Sequence, residues 1–256
     1  MRFAYLGSGS QGNGLVVQVG ATTLLLDCGF PAADTVRRLA RLGLAPGDLS
    51  GILVTHEHSD HIGGVPAFAR RFSLPVWLSH GTLRGTGLDF RGVRVEVLQG
   101  FKTFSVGEVN VEPYPVPHDA GEPVQYVFTD GCARFGVLTD VGSATSHIRS
   151  MLTSCDALAL ECNHDVEMLR NGPYPPGLKR RVAGDFGHLS NAAAADLLAS
   201  LDRSRLKHLI AVHLSLKNNT VDLAREALAR VVGCEPAWIG VADQFAGLDW
   251  REIGSD

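Results

Sequence analysis

The sequence has no apolar run that reaches the ~18 residues a membrane-crossing helix needs. Its first residues, Met1-Arg2-Phe3-Ala4-Tyr5-Leu6, meet glycines and serines too soon to form a secretory leader and read as a strand. A cytoplasmic protein that does not enter a membrane is expected. A disulfide framework is also lacking. The five cysteines (Cys28, Cys132, Cys155, Cys162, Cys234) are odd in number, scattered and free of any C-x-x-C pair, which argues against paired bridges and against a zinc ribbon. There is no excess of positive charge: the formal net charge is -4, which disfavours a surface that coats nucleic acid but leaves room for a small local site. Low-complexity tracts and long linkers are absent, and the 45% hydrophobic and 20% charged fractions are those of an ordinary globular chain. One domain spanning residues 1–256 is expected, large enough to bury about 75% of its unfolded surface.

What is present is an alternation of short apolar runs. Residues 2–6 read as a strand, and 15–19 with 22–27 as a hairpin turning at Gly20-Ala21. Residues 34–42 carry Val36, Leu39 and Ala40 at helical spacing and stop at Gly43 and Pro46. Residues 52–54 are a brief buried strand, 65–72 a helix and 75–78 another strand. The runs at 93–98, 109–116, 125–129 and 134–138 predict successive antiparallel strands, with turns at Gly107, Gly121 and Asp130-Gly131. Then follow a helix over 146–152, a strand over 157–161, an alanine-rich helix over 191–201 with Asn191 as N-cap, a strand over 208–212 and a helix over 221–230. The two halves repeat one order of elements. Two sheets packed face to face with helices outside satisfy it.

The residues that carry chemistry follow the strand at 52–54. Thr55-His56-Glu57-His58-Ser59-Asp60-His61 places four potential metal ligands within six residues. Imidazole and carboxylate suit borderline divalent metals. On a loop at a strand end, alternate side chains aim into one cavity, so His56 and His58 can serve one metal and Asp60 with His61 a second. Gly63-Gly64 allows close backbone packing as the next helix begins. A solvated polar loop is a poor account of so dense a cluster.

This H-x-H-x-D-H run after a short strand resembles the signature of the metallo-β-lactamase superfamily. The resemblance implies an α/β fold, a four-layer αββα sandwich of two mixed sheets. It implies three more ligands, which are found at predicted strand ends: His118 after Val116-Pro117, Asp140 after residues 135–139, and His213 after residues 209–212. On the family pattern His56, His58 and His118 hold one metal, Asp60, His61 and His213 the other, and Asp140 bridges them. The cofactors implied are two divalent ions, zinc or manganese, with iron also compatible. Asp27, in Leu24-Leu25-Leu26-Asp27-Cys28-Gly29, reads either as a support behind the ligands or as a structural cap.

Two such metals bring the pKa of a water between them from about 15.7 towards neutrality, and Asp60 can orient or deprotonate it. The fold hosts several substrates, so the choice among them rests on other residues. Gly187-His188-Leu189-Ser190-Asn191 stands before a helix, and His188 matches a histidine that binds or protonates the scissile phosphate in nucleases of the superfamily; an ordinary capping-region histidine is the alternative. His213-Leu214-Ser215-Leu216-Lys217-Asn218-Asn219 resembles their terminal histidine-x-serine motif, which brings in Ser215 and Lys217. The run Lys179-Arg180-Arg181 reads as a solvated loop or as part of a phosphate path. Together with Gly7 to Asn13, Glu161-Cys162-Asn163-His164-Asp165 and Tyr174-Pro175, these segments resemble the YycJ (WalJ) group over nearly the whole chain, with Gln11 departing from an expected serine. That likeness implies a metal-dependent exonuclease acting on DNA, as single strands or ends, with a role in repair. Asn163 and His164 then become candidates for substrate contact, although a strand-end histidine can simply cap a turn. The opening loop is no phosphate-binding P-loop, since no Gly-Lys-Ser/Thr follows.

Other readings remain. A small cyclic phosphodiester would use the same His188. A thioesterase or lactonase would share the metals, but the glyoxalase type adds a helical C-terminal domain that the continued alternation after Asp140 does not suggest. A flavodiiron protein would carry a carboxylate in place of His58. A scaffold that has lost its metals would lack some of the seven ligands. For single-stranded DNA, Phe101, Phe104, Tyr174 and Phe186 are candidate stacking residues, with core packing the competing use.

Overall fold

Strands buried on both faces read as near-continuous apolar runs, and residues 3–6, 15–17 and 24–26 open the first half in this way. In the computed structural model, which describes residues 1–254, β1 (Arg2–Gly7), β2 (Gly14–Val19) and β3 (Thr22–Leu26) form an antiparallel meander. The chain then crosses through α1 (Ala32–Arg41) to β4 (Gly51–Leu53), and through α2 (Ser59–Ile62) and α3 (Val65–Phe72) to β5 (Val76–Leu78). A last crossing through α4 (His80–Gly85) reaches β6 (Val95–Val97), and each strand pairs parallel with the one before.

The second half repeats the scheme. It opens with four antiparallel strands, β7 (Phe104–Val106), β8 (Val109–Pro115), β9 (Val124–Thr129) and β10 (Arg134–Leu138). Crossovers lead through α5 (Ser146–Leu152) to β11 (Ala157–Glu161), then through α6 (Val166–Asn171), α7 (Pro176–Val182) and α8 (Asn191–Ala199) to β12 (His208–Val212). From there α9 (Val221–Val232) leads to β13 (Gly240–Val241), again in parallel. The final strand, β14 (Leu248–Glu252), returns to pair antiparallel with β1. The result is two seven-stranded mixed sheets, ordered β14-β1-β2-β3-β4-β5-β6 and β13-β12-β11-β10-β9-β8-β7.

Three apolar layers hold them. Between the sheets Phe3, Leu24 and Leu53 meet Tyr126, Phe128, Phe135 and Ile210, with Phe3 stacked on Phe135 at 4.2 Å between ring centres. Outside the first sheet, Leu39 of α1 and Phe68 of α3 cover Ile52 and Val54. Outside the second, Ile148, Leu197 and Leu228 of α5, α8 and α9 cover Leu138, Leu160 and Ala211. This is the expected helix–sheet–sheet–helix order.

The differences from the sequence reading have local causes. The run at 93–98 is not the first of an antiparallel series: β6 joins β5 in parallel at the edge of the first sheet, and the antiparallel series starts at Phe104 with its turn at Gly107, φ 54°. The strands β7, β13 and β14 and the helices α4, α6 and α7 are too short to carry a periodic signal. The Lys179-Arg180-Arg181 run is helical, within α7, rather than a loop. The cap of α8 is Ser190, whose side chain accepts from the Ala193 N–H, while Asn191 is buried and exchanges hydrogen bonds with Asn219 at 2.8 and 2.9 Å.

This assignment is testable by urea denaturation. Ser190→Ala should cost about 1 kcal/mol, the usual loss of a cap. Asn191→Ala should cost more, about 1–3 kcal/mol, because it removes two buried hydrogen bonds to Asn219.

Candidate metal centre

Parallel strands gather their carboxyl ends on one side of each sheet, and the candidate ligands follow those ends. His56, His58, Asp60 and His61 come after β4, Asp140 after β10 and His213 after β12; His118 follows β8. The rings of His56, His58 and His118 form a near-equilateral triangle, with centres 4.6, 4.9 and 5.0 Å apart. Their donor atoms lie within 4.8 Å of one another, as do those of Asp60, His61 and His213. Asp140 stands between the two trios. Its Oδ2 is 3.2 Å from His61 Nε2, and its Oδ1 is 3.6 Å from His213 Nε2 and 3.8 Å from His118 Nε2.

The surroundings fix which nitrogen each ring presents. Asp27 Oδ2 takes His61 Nδ1 at 2.7 Å and the Thr55 hydroxyl at 2.9 Å, and its other oxygen accepts the Thr55 N–H. This turns His61 Nε2 towards Asp60 and Asp140. His118 Nδ1 faces the Gly187 carbonyl at 3.1 Å, and its Nε2 points to the other histidines. The opening glycine-serine loop also reaches the centre. The Ser8 hydroxyl accepts the His213 N–H at 2.9 Å, and Asn13 Nδ2 lies 3.0 Å from His61 Nε2. Backbones close tightly here: a Cβ on Gly64 would sit 2.0 Å from the Phe30 carbonyl oxygen, and one on Gly29 would sit 1.8 Å from that of Asp60. Asp27, Asp140 and His213 all adopt left-handed backbone, with φ 59°, 51° and 56°. Such a conformation costs a non-glycine residue about 1–3 kcal/mol and persists only where surrounding bonds enforce it.

Glu161 was quoted in the sequence only as part of a family-like segment, without a role. It is fully buried at the end of an apolar strand. Its carboxylate accepts the N–H groups of Asp140, Val141 and Leu189 at 3.2, 3.2 and 3.0 Å, binds His188 Nδ1 at 2.8 Å and lies 3.3 Å from His213 Nδ1. The available signal was a lone charge closing Ala157-Leu158-Ala159-Leu160.

A cleft of about 160 Å³ opens beside this cluster, lined by Ser10, Tyr174, Arg181, His188, His213 and Ser215 among others. Lys217 Nζ reaches its edge, 5.7 Å from the Tyr174 ring centre. Arg181 pairs with Asp119, and Lys179 donates to the Arg170 carbonyl. Ser215 Oγ is engaged by the N–H groups of Lys217 and Asn218. Asn163 lines the cleft too, but its amide donates to the His213 carbonyl at 3.0 Å and so holds that loop. His164 is buried at 3% exposure and is not among the residues lining the cleft. Another cavity, about 720 Å³, lies at the opposite strand ends around Met1, Asp156 and Lys207 and contains none of the candidate ligands.

The donor set fits divalent metals. His56 is fully buried, its Nδ1 meets the Thr55 hydroxyl at 2.9 Å, and its Nε2 has no hydrogen-bond partner among the described residues. Burial, reinforced by the neighbouring His61, His118 and His58, holds its pKa well below the ordinary imidazole value, so the ring offers a neutral nitrogen. For His61 burial works in the same direction, but Asp140, Asp60 and Asp27 outweigh it and raise the pKa well above that value. His213 is likewise opposed by burial, yet Asp140, Asp60 and Glu161 bring it to about 10. Asp60 and Asp140 are held far down by the same histidines against the effect of burial. An array of His⁺ beside carboxylate is a site where protons stand in for cations.

Comparison with known proteins agrees with this geometry. Residues 22–214 match the family model of the beta-lactamase superfamily domain. A protein of Bacillus anthracis named exodeoxyribonuclease YycJ is 38% identical over 251 residues, 96% of this chain and 93% of that one. Exodeoxyribonuclease WalJ of Streptococcus pneumoniae is 32% identical over 94% of this chain and 91% of its own. The metallo-beta-lactamase fold protein YhfI from Bacillus subtilis superposes with a TM-score of 0.75 at 17% identity, covering 98% and 99% of the two chains, a likeness of fold. The chain belongs to the metallo-β-lactamase superfamily and, within it, to the group that holds the YycJ and WalJ relatives. Fold, His/Asp clusters and relatives together define a metal-dependent hydrolase. No helix among the described residues is long and apolar enough to cross a membrane.

Two outcomes follow from the centre. Glu161→Gln keeps the shape but turns an NH₂ towards N–H donors, so urea denaturation should show a loss of about 3 kcal/mol, with metal affinity down about 10- to 100-fold. Metal uptake should also release protons, because His61 and His213 carry them at neutral pH when no metal is bound. Apparent affinity then rises with pH through neutrality, by about tenfold per unit for each proton displaced. Titration calorimetry in buffers of differing ionisation enthalpy measures this; a buffer-independent heat would contradict it.

Proposed function

We propose that the protein is a DNA exonuclease that cleaves phosphodiester bonds with two divalent metal ions. His56, His58 and His118 would hold one ion, Asp60, His61 and His213 the other, with Asp140 between them. Zinc or manganese suits these nitrogen and oxygen donors, and iron is compatible. Bound metals of this kind supply hydroxide at neutral pH and draw charge from the phosphate under attack. Asp60, held ionised by His61 and His213, is an acceptor that orients the attacking water.

The observation that carries the reading is the His188–Glu161 pair. Burial disfavours a charge on His188, but Glu161 and Asp140 outweigh it and raise its pKa, so the ring holds a proton more tightly than an ordinary imidazole. Its Nδ1 is committed to Glu161, leaving Nε2 for the cleft, where it can bind a phosphate oxygen and protonate the departing one. A positioned acid of this kind contributes about 10²- to 10⁴-fold. Arg181, Ser215 and Lys217 line or edge the same cleft and supply cations and a hydroxyl for the adjoining backbone. Asn163 acts by holding the His213 loop. DNA as the polymer is supported by the names of the YycJ and WalJ relatives, which share nearly the full length of this chain. All five cysteines are free, in keeping with a reducing cytoplasm.

The deciding assay is release of mononucleotides from labelled single-stranded DNA, with manganese or zinc and with chelator. Metal-dependent release is expected. Asp60→Ala should abolish it, and His188→Ala should reduce it at least 100-fold while metal content is retained. Cleavage of bis(p-nitrophenyl) phosphate without DNA degradation would overturn the reading in favour of a small phosphodiester. No cleavage of either by metal-loaded protein would point to thioesters or lactones.

A further inference from the structure

Phe186 lies two residues before His188, in the segment between α7 and α8, and its ring is 62% exposed. Its backbone, by contrast, is pinned on all sides. The Phe186 carbonyl accepts the Asp119 N–H at 3.1 Å, and the Asp185 carbonyl accepts the Ser143 hydroxyl at 3.2 Å. Gly187 N–H donates to Gly184 at 2.8 Å, His188 N–H donates to Val182 at 2.9 Å, and the Gly187 carbonyl meets the ring of His118. A Cβ on Gly142 would stand 2.3 Å from the Asp185 backbone, so this segment is packed directly on the loop that carries Asp140. An exposed aromatic side chain on backbone fixed this close in sequence to His188 is a preorganised surface.

The ring forms one wall of an open cleft of about 670 Å³, together with Pro115, Pro117, Thr145 and His147. Pro117 immediately precedes His118. No lysine or arginine lines this cleft among the described residues, and one carboxylate, Asp185, does. It is therefore ill suited to a phosphate and well suited to an uncharged flat ring. The cleft that His188 lines has the opposite character, with Arg181 and, at its edge, Lys217.

We infer that Phe186 is the stacking platform for a nucleobase next to the scissile phosphate, and that this makes the enzyme select unpaired ends. The inference depends on the reading of DNA as substrate. A base within a duplex is stacked on both faces and cannot turn onto the ring, whereas an unpaired one can. Stacking is tolerant of sequence because every base has a π-face.

The test compares two proteins on three strands, six combinations in all. Metal-loaded parent and Phe186→Ala protein are compared on a single-stranded oligonucleotide and on the same oligonucleotide with tetrahydrofuran replacing the base at each of the two terminal positions in turn. On the natural strand Phe186→Ala should raise KM about 5- to 150-fold, the range for loss of one base–aromatic stack, with a smaller change in kcat. On one of the base-less strands parent and variant should become alike, since the two deletions remove the same contact. Phe186→Trp should restore the parental KM, which separates stacking from damage to the segment. An unchanged KM on the natural strand, or an equal loss on both base-less strands, overturns the platform while leaving the exonuclease intact. If the parent protein degrades no oligonucleotide, the DNA reading falls and the platform with it.

Discussion

A single buried carboxylate organises the reacting end of this molecule. Glu161 sits at the end of a central strand with no access to solvent, where an isolated charge would be severely destabilising. It is tolerated because five donors converge on it: three N–H groups and two imidazoles. Burial alone would push its pKa up, yet His188 and His213 pull it down to about 2. Those donors belong to three separate stretches of chain, after β10, before α8 and after β12. The left-handed turn at Asp140, the orientation of His188 and the position of His213 are thus consequences of one charge being satisfied.

The first sheet contributes a parallel device. Asp27 directly follows β3, Glu161 is the last residue of β11, and Asp27 binds His61 and Thr55 at the start of the histidine loop. Each half of the chain carries a buried acid behind its candidate ligands, an arrangement that fixes ring orientation. Asp140 is the main charge that raises His61 and His213, and these two acids add to it, whereas burial and the neighbouring histidines hold His56 down.

Much of this could be read from the chain. The fold class followed from alternating short apolar runs, and the histidine loop announced itself through density of ligand types. His118, Asp140 and His213 were legible because each closes an apolar strand. What stayed hidden depended on distance or on length. The Ser8–His213 bond joins residues 205 positions apart, and β14 pairs with a strand at the other end of the chain. The helices α4, α6 and α7 span six or seven residues, fewer than two full turns, so no periodicity marks them. Ser190 and Asn191 are equally good caps by type, and burial of Asn191 against Asn219 decided between them. Glu161 escaped because a polar residue at a strand end ordinarily reads as the start of a loop.

The loop after β4 belongs to the first sheet, whereas His118 and His213 belong to the second. Each trio of candidate ligands therefore takes two members from one slab and one from the other. Ions seated there would be rivets across the seam as well as reagents. Any shear between the slabs would strain both trios at once, and filling them would stiffen the sandwich along its open edge.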